Sequence, residues 1–225
     1  MKIDFEKQRV FLTGGSRGIG KKIKEIFEKS GAEVIAPTHQ QLDLNDLCSI
    51  EDYFENDNDF DIFVHCAGIN KLAGIEEIDN TIINDVFNVN CFSAIEIIKH
   101  ISKSMKKKNN GKIVFISSLY AIVSRERRIA YSASKNAITG VMKSLCLELA
   151  ENNILINSVA PGYVMTDMTK QNLSNEEIDN IKKQIPLGRF QSEEDIANMV
   201  VYLCSEYNNS MTGQIIVVDG GFSCR

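Results

Sequence analysis

Residues 9–20 read Arg9-Val10-Phe11-Leu12-Thr13-Gly14-Gly15-Ser16-Arg17-Gly18-Ile19-Gly20. The apolar run 9–12 suits a buried strand. Gly18-Ile19-Gly20 opens a helix whose apolar residues fall at Ile19, Ile23, Ile26 and Phe27, with Gly31 as its stop signal. Strand, glycine turn and helix, in that order, form the context in which a glycine-rich loop holds a pyrophosphate. Glycines let the turn close and let the backbone approach the phosphates, and the helix N-terminus supplies free N–H groups and a positive dipole end. A glycine loop without a ligand is the plainer alternative, and the flanking pattern weighs against it. Gly14-Gly15-Ser16-Arg17-Gly18 also fits the hydrolase nucleophile pattern G-x-S-x-G, which needs an acid and then a histidine downstream. The histidines are His39, His65 and His100, none late in the chain.

Beyond this stretch, strand and helix patterns alternate. Strands are expected at residues 32–36, 41–44 (very short), 60–65, 112–117, 154–159 and 214–218, and helices at 83–106, 131–151 and 193–205. That alternation predicts an α/β fold, a doubly wound parallel sheet of Rossmann type with helices on both faces. Small-residue turns at Gly14-Gly15, Ala67-Gly68, Ser117-Ser118 and Pro161-Gly162 fall at the carboxyl ends of strands. In such sheets those ends converge on one ligand crevice. No linker, composition break or repeat divides the 225 residues, so residues 1–225 are read as a single domain.

A formal charge of −5 and a pI near 5.3 argue against a nucleic-acid partner. Lys106-Lys107-Lys108 reads as a solvated helix end, where lysines suit the negative dipole end. No apolar stretch is expected to reach the length of a membrane span, and the charged segment 1–9 has no signal-peptide core. Cys48, Cys66, Cys91, Cys146, Cys204 and Cys224 are scattered without C-x-x-C spacing, and no metal cluster with the histidines is expected. The expectation is a set of reduced thiols in the cytoplasm.

Chemistry enters with Tyr131, Lys135 four residues later, and Ser118 thirteen residues before the tyrosine. A Tyr and a Lys at that spacing share a helix face, although surface pairs do so as well. The order of the whole set raises it above chance. Thr13–Gly20, Asn88-Val89-Asn90, Ile116-Ser117-Ser118, Tyr131-Ser132-Ala133-Ser134-Lys135, Val159-Ala160-Pro161-Gly162, Val164-Met165-Thr166-Asp167-Met168-Thr169 and Thr212-Gly213-Gln214 through Asp219-Gly220-Gly221 together resemble the short-chain dehydrogenase/reductase family over nearly the full chain. The C-terminal third is most similar to its 3-oxoacyl-carrier-protein reductases.

The resemblance implies an NAD(P)-dependent oxidoreductase that interconverts a ketone and a secondary alcohol. Tyr131 would be the proton donor in reduction. Lys135 would hold the nicotinamide ribose, and its charge, with that of the oxidised nicotinamide, would lower the tyrosine pKa. Ser118 would polarise the substrate oxygen, and Asn90 would anchor a water in the proton relay. Gly14, Ser16, Arg17 and Ile19 would contact the cofactor, with Asp43 and Leu44 at adenine. Ala67 and Gly68 would join Tyr131, Lys135, Pro161, Gly162, Val164 and Thr166 nearer the nicotinamide. Assembly as a homotetramer or dimer follows from the family's pairing surfaces.

Two departures stand out. Cys66-Ala67-Gly68 replaces the family's Asn-Ala-Gly. Residues 37–40 leave no room for the helix usually found there, so the adenine end is expected to be more open.

Cofactor choice is read from residues. NAD selection usually places an acid about 20 residues past the glycine loop, on the ribose 2′-OH. Here residues 36–41 hold none, Thr38 stands in that window, and Arg17 in the loop suits a 2′-phosphate, with Lys21 and Lys22 behind it. NADP(H) is therefore expected over NAD(H). The substrate is a small carbonyl or alcohol. A carrier-bound 3-oxoacyl thioester is one candidate, and a nucleotide-sugar or other biosynthetic ketone is another. Acids end the Tyr131 helix at Glu148 and Glu151, whereas Arg125, Arg127 and Arg128 form a basic loop beside Tyr131. A catalytically silent cofactor-binding regulator or a scaffold would not need Ser118, Tyr131, Lys135 and Asn90 together.

Overall fold

The computed structural model describes residues 3–55, 57–166, 169 and 174–224, so Asp167 and Met168 of the quoted motif lie outside the described residues. Six parallel strands form one sheet in the order β2-β1-β3-β4-β5-β6. They are β1 (Arg9–Thr13), β2 (Glu33–Ile35), β3 (Ile62–His65), β4 (Gly111–Ile116), β5 (Ile154–Pro161) and β6 (Ile215–Val218).

The strands alternate apolar residues between two cores, as a sheet covered on both sides requires. Phe11, Phe63, Ile113 and Ile156 stand in register and face one core with α2 (Leu47–Phe54), α4 (Ser93–Lys108) and α5 (Ile129–Leu149). Leu12, Val64 and Val114 face the other, with α1 (Gly18–Lys29) and α7 (Glu193–Cys204). Asn157 takes the fourth place in that second row. It is buried, and its amide is satisfied by Met211 O and Gln214 N. Two shorter helices, α3 (Asn80–Phe87) and α6 (Asn175–Gln184), complete the set described.

The expected strand at 41–44 is not a strand. Residues 38–46 make two successive turns, in which Gln41 N and Leu42 N bond Thr38 O and Asp46 N bonds Asp43 O. A parallel strand must be entered through a crossover of a dozen or more residues. The few residues after β2 cannot supply one. Leu42 instead buries its side chain in the first core, and β2 becomes the edge of the sheet.

The sequence reading also passed over α2. Asp46 caps it by accepting from Cys48 N, while Ile50 and Phe54 are buried. Eight residues are too few for a helix to stand alone. Phe54 packs edge-on to Phe11 and against Phe60, and burying such a ring contributes roughly 1.5–3 kcal/mol.

The helix expected over 83–106 is a longer composite. α3 runs into α4 through a π-helical turn at Asn88–Phe92. The joined run Asn80–Lys108 is long and apolar enough to cross a membrane, a length that no stretch was expected to reach. In the fold, Ala94, Ile97, Ile98, Ile101 and Met105 line the core.

Candidate active site

The carboxyl ends of β1, β3, β4 and β5 open onto a cleft of about 700 Å³. At one end it is lined by Gly14, Ser16, Arg17, Ile19, Thr38, Asp43 and Leu44. At the other stand Ala67, Gly68, Ser118, Tyr131, Lys135, Pro161, Gly162, Val164 and Thr166. Asn90 lies beneath the floor and is fully buried.

The glycine turn explains why the cleft can take a nucleotide. Gly14 has φ +73°, which favours glycine, and a Cβ on Gly20 would fall 2.1 Å from Gly14 O. α1 thus presses directly against the turn. Its N-cap, Arg17, makes no side-chain cap bond, and its first turn holds no acid. Its first residues, Gly18 to Gly20, line the cleft, where their N–H groups are available to an anion. On the opposite wall, Asn70 Oδ1 is buried without a hydrogen-bond partner, an acceptor suited to a ligand's hydroxyl or amide. These features fit a dinucleotide.

At the far end the chemistry gathers on β4 and α5. Lys135 is buried, and its Nζ donates to Ile116 O at 2.8 Å. Burial lowers its pKa to about 8. Burial also raises the Tyr131 hydroxyl above its ordinary value, against the pull of the Ser118 hydroxyl and the Arg128 charge. Desolvation is the largest influence on Tyr131 here; the lowering expected from Lys135 together with the oxidised nicotinamide concerns the cofactor-loaded site. Ser118 Oγ accepts from Tyr120 N at 3.1 Å and its hydroxyl bonds that of Tyr131, which sets the two hydroxyls side by side at the end of the cleft.

Behind this layer lie groups that the motif reading undervalued. Asn90 Oδ1 accepts from Ile69 N at 2.8 Å, while Nδ2 donates to Ile69 O and to Ser134 Oγ, both at 3.0 Å. Both amide protons are thus committed to fixing the 68–70 turn against α5. Ser134 Oγ in turn donates to Tyr131 O at 2.9 Å.

His65, considered in the sequence only as a hydrolase base, is a buried tether. Its Nε2 lies 3.1 Å from Val89 O and its Nδ1 lies 3.0 Å from Thr13 Oγ1. A carbonyl only accepts, so Nε2 carries the proton and Nδ1 accepts from the threonine. Thr13 Oγ1 accepts from Ala67 N at 3.2 Å, which links β1, the Ala67-Gly68 turn and the π-helical turn. The sequence signal was a polar residue closing a strand whose other residues are apolar.

Burial, with the Lys135 charge behind it, lowers the His65 pKa from 6.5 to about 3. Below pH 6.5 the unfolded chain takes up a proton that the folded one refuses. Stability should therefore fall with pH between about 6.5 and 3, at up to about 1.4 kcal/mol per unit from this group. Urea titrations across that range should show the slope, and His65→Asn should flatten it. An unchanged slope in the variant would remove this assignment.

Arg17, Thr38 and Asp43, read in the sequence for cofactor choice, all line the cleft. After β2 the chain runs Ala36-Pro37-Thr38-His39, and the first acid, Asp43, lies 3.5 Å from His39 Nδ1. Lys22 is paired with Glu25 at 3.0 Å, which leaves Arg17 and Lys21 as the nearby cations of the loop among the described residues.

A parallel α/β sheet, a glycine turn at the head of the cleft and a Ser-Tyr-Lys group at its end define a nucleotide-dependent oxidoreductase. A family model described as Enoyl-(Acyl carrier protein) reductase matches residues 41–223. The chain is 32% identical over 241 residues to the 3-oxoacyl-(acyl-carrier-protein) reductase FabG of Escherichia coli, with 97% of this chain and 98% of that protein covered. It is 33% identical over 247 residues to FabG of Aquifex aeolicus, covering 98% and 99%. A crystal structure assigned as a 2-deoxy-d-gluconate 3-dehydrogenase from Agrobacterium tumefaciens, with bound NADP, superposes with a TM-score of 0.92 at 28% identity, covering 100% of this chain and 99% of that one. The chain belongs to the short-chain dehydrogenase/reductase family, whose members carry out oxidoreduction at CH–OH and ketone groups.

Proposed function

We propose that this protein is an NADP(H)-dependent ketoreductase, with a 3-oxoacyl thioester as its leading substrate class. The observation that carries the reading is the meeting of Ser118, Tyr131 and Lys135 at one end of a cleft whose other end is a phosphate-binding turn. Overall, a ketone, NADPH and a proton become a secondary alcohol and NADP⁺. The bound nicotinamide supplies the hydride. Ser118 hydrogen-bonds the ketone oxygen through its hydroxyl, keeping its own proton, and fixes the oxygen's position. Tyr131, kept protonated by burial, gives that oxygen its proton. Lys135 holds the cofactor ribose, and its charge favours release of the Tyr131 proton to the substrate oxygen. Asn90 holds the turn above it and anchors the relay water. Gly14, Ser16, Arg17, Ile19, Thr38, Asp43 and Leu44 hold the adenosine half of the cofactor. Ala67, Gly68, Pro161, Gly162, Val164 and Thr166 hold the nicotinamide half.

The FabG relatives support the thioester. Structural neighbours assigned as gluconate dehydrogenases favour a second reading, a small polyol or sugar-acid carbonyl. NADPH oxidation against 3-oxoacyl thioesters, nucleotide-sugar ketones and sugar-acid ketones tests the whole reading. Inactivity of folded protein across that panel would favour a silent cofactor-binding regulator. Cofactor choice is checked by kcat/KM with NADPH and NADH. Wild type should favour NADPH, and Thr38→Asp combined with Arg17→Ser should move the preference toward NADH. A wild type that already prefers NADH ends this part of the proposal.

A homo-oligomer, tetramer or dimer, belongs to the same proposal. One stripe of α5 exposes Ala133, Gly140 and Ser144 beside Leu147, which is 83% exposed. A Cβ on Gly140 meets nothing within 4 Å in the single chain. Gly140→Arg should therefore leave the fold intact and lower the mass seen in light scattering. A wild type already monomeric at micromolar concentration would exclude assembly. The six cysteines are all unpaired, in keeping with a reducing cytoplasmic setting.

A further inference from the structure

The loop between β4 and α5 carries three arginines that the ketoreductase reading does not use, and the structure gives each a different situation. Arg127 is committed: its guanidinium makes a two-point bond with Glu77, at 2.9 and 2.6 Å. Arg125 is exposed and acts on the Tyr163 hydroxyl and on Glu177. Arg128 is half-buried, and among the described residues no carboxylate pairs with it.

Arg128 also stands against the reacting end. Its guanidinium carbon lies 5.5 Å from the centre of the Tyr120 ring. That ring meets Tyr131 edge-on at 6.2 Å and Tyr163 at 6.5 Å, and the Tyr120 and Tyr163 hydroxyls bond at 3.2 Å. Tyr120 is thus a wall with the candidate proton donor against it and a planar cation laid on it. Stacking on an aromatic ring orients a guanidinium while leaving its N–H edges free. An unpaired, partly desolvated guanidinium is poorly accommodated until an anion meets it, and its fork matches a carboxylate or a phosphate.

We propose that Arg128 is a specificity-determining residue, and that the substrate is an anionic carbonyl compound whose carboxylate or phosphate is held by Arg128 against the Tyr120 wall. The proposal rests on the ketoreductase reading and names the substrate class for it. The same anion chemistry has two sources. It is either a carboxylate on a small oxo acid or the phosphate of a phosphopantetheine arm.

The test uses matched pairs in which one member carries the anionic group and the other lacks it. One pair is acetoacetate and ethyl acetoacetate. The other is acetoacetyl-4′-phosphopantetheine and acetoacetyl-pantetheine. Each is assayed with NADPH on wild type, Arg128→Gln and Arg128→Lys. Wild type should favour the anionic member of one pair by roughly tenfold or more in kcat/KM, the scale of one lost charge-assisted hydrogen bond. Arg128→Gln should lose most of that ratio, chiefly through KM for the anion, and Arg128→Lys should restore part of it. The pair that shows the effect identifies the source.

No charge preference in wild type overturns the proposal. So does a preference that survives in Arg128→Gln. An equal shift of the kcat pH profile for both members would make Arg128 a group that tunes Tyr131 instead, and would also overturn it. Absence of turnover with every ketone would count against the reductase reading. In that case, calorimetric titration of the same compounds into NADP⁺-loaded protein decides the anion site. Binding of the anionic member that is lost in Arg128→Gln supports it, and no binding removes it.

Discussion

Replacing Tyr131 by Phe is expected to reduce ketone reduction by at least about 10²–10⁴-fold, the range typical of a lost general acid, while NADPH binding stays near normal. Two features of the site set that expectation. The Tyr131 hydroxyl is kept protonated by burial, so the wild type offers a proton at neutral pH. The residue's backbone position is fixed independently of its hydroxyl, through Ser134 Oγ bonding Tyr131 O and Asn90 bonding Ser134. The phenylalanine ring should therefore sit where the tyrosine ring sat, still edge-on to Tyr120. NADPH fluorescence titration reports binding, and single-turnover kinetics report the chemical step. Near-normal turnover by a folded variant would refute the assignment.

Gly20→Ala should be the most damaging single methyl group in the chain outside the chemistry. The added carbon would lie 2.1 Å from Gly14 O and 2.8 Å from Gly14 C, both backbone atoms of the turn proposed to receive the phosphates. Neither can rotate away as a side chain would, so the turn or the first turn of α1 must move. Overpacking of this kind typically costs about 1–3 kcal/mol. For a chain of this size that lowers Tm by roughly 2–12 °C. The displaced N–H groups should weaken cofactor binding by tenfold or more, in line with the cost of misplaced positioning groups. Calorimetric Tm together with NADPH Kd tests both parts, and an unchanged Kd would show that the turn does not cradle the cofactor.

Much of this was legible in the chain because strand periodicity and glycine turns are local signals. Val10, Phe11 and Leu12, and Ile113 through Ile116, lie in strands and fill the cores their alternation implies. Residues 41–44 carried a misleading local signal, since Leu42 and Leu44 look strand-like. Whether a parallel strand forms depends on the length of its crossover, not on its own residues. The helix at 47–54 was hidden for the opposite reason: its existence depends on Phe54 finding Phe11 and Phe60 across the fold. In the site, the cleft-lining residues sit at strand ends that sequence could order. The His65 tether and the Asn90–Ser134 link join residues 24 and 44 positions apart, and no local pattern announces them. The direction of the Tyr131 shift was likewise out of reach, because it follows from desolvation by the assembled neighbourhood.

The two margins of the sheet differ in a way that bears on aggregation. β2 is three residues long, places exposed Glu33 against Arg9 at 3.3 Å, and is followed by Pro37. A short, charged margin with a proline nearby is a poor template for a second strand. At the other side, β6 is Ile215-Ile216-Val217-Val218, β-branched throughout, with Val217 38% exposed. Any edge-to-edge growth of misfolded or dilute protein should begin there, and a lysine at Val217 would act as a gatekeeper against it. The chain thus guards one rim of its sheet, at β2, and leaves the other, at β6, adhesive.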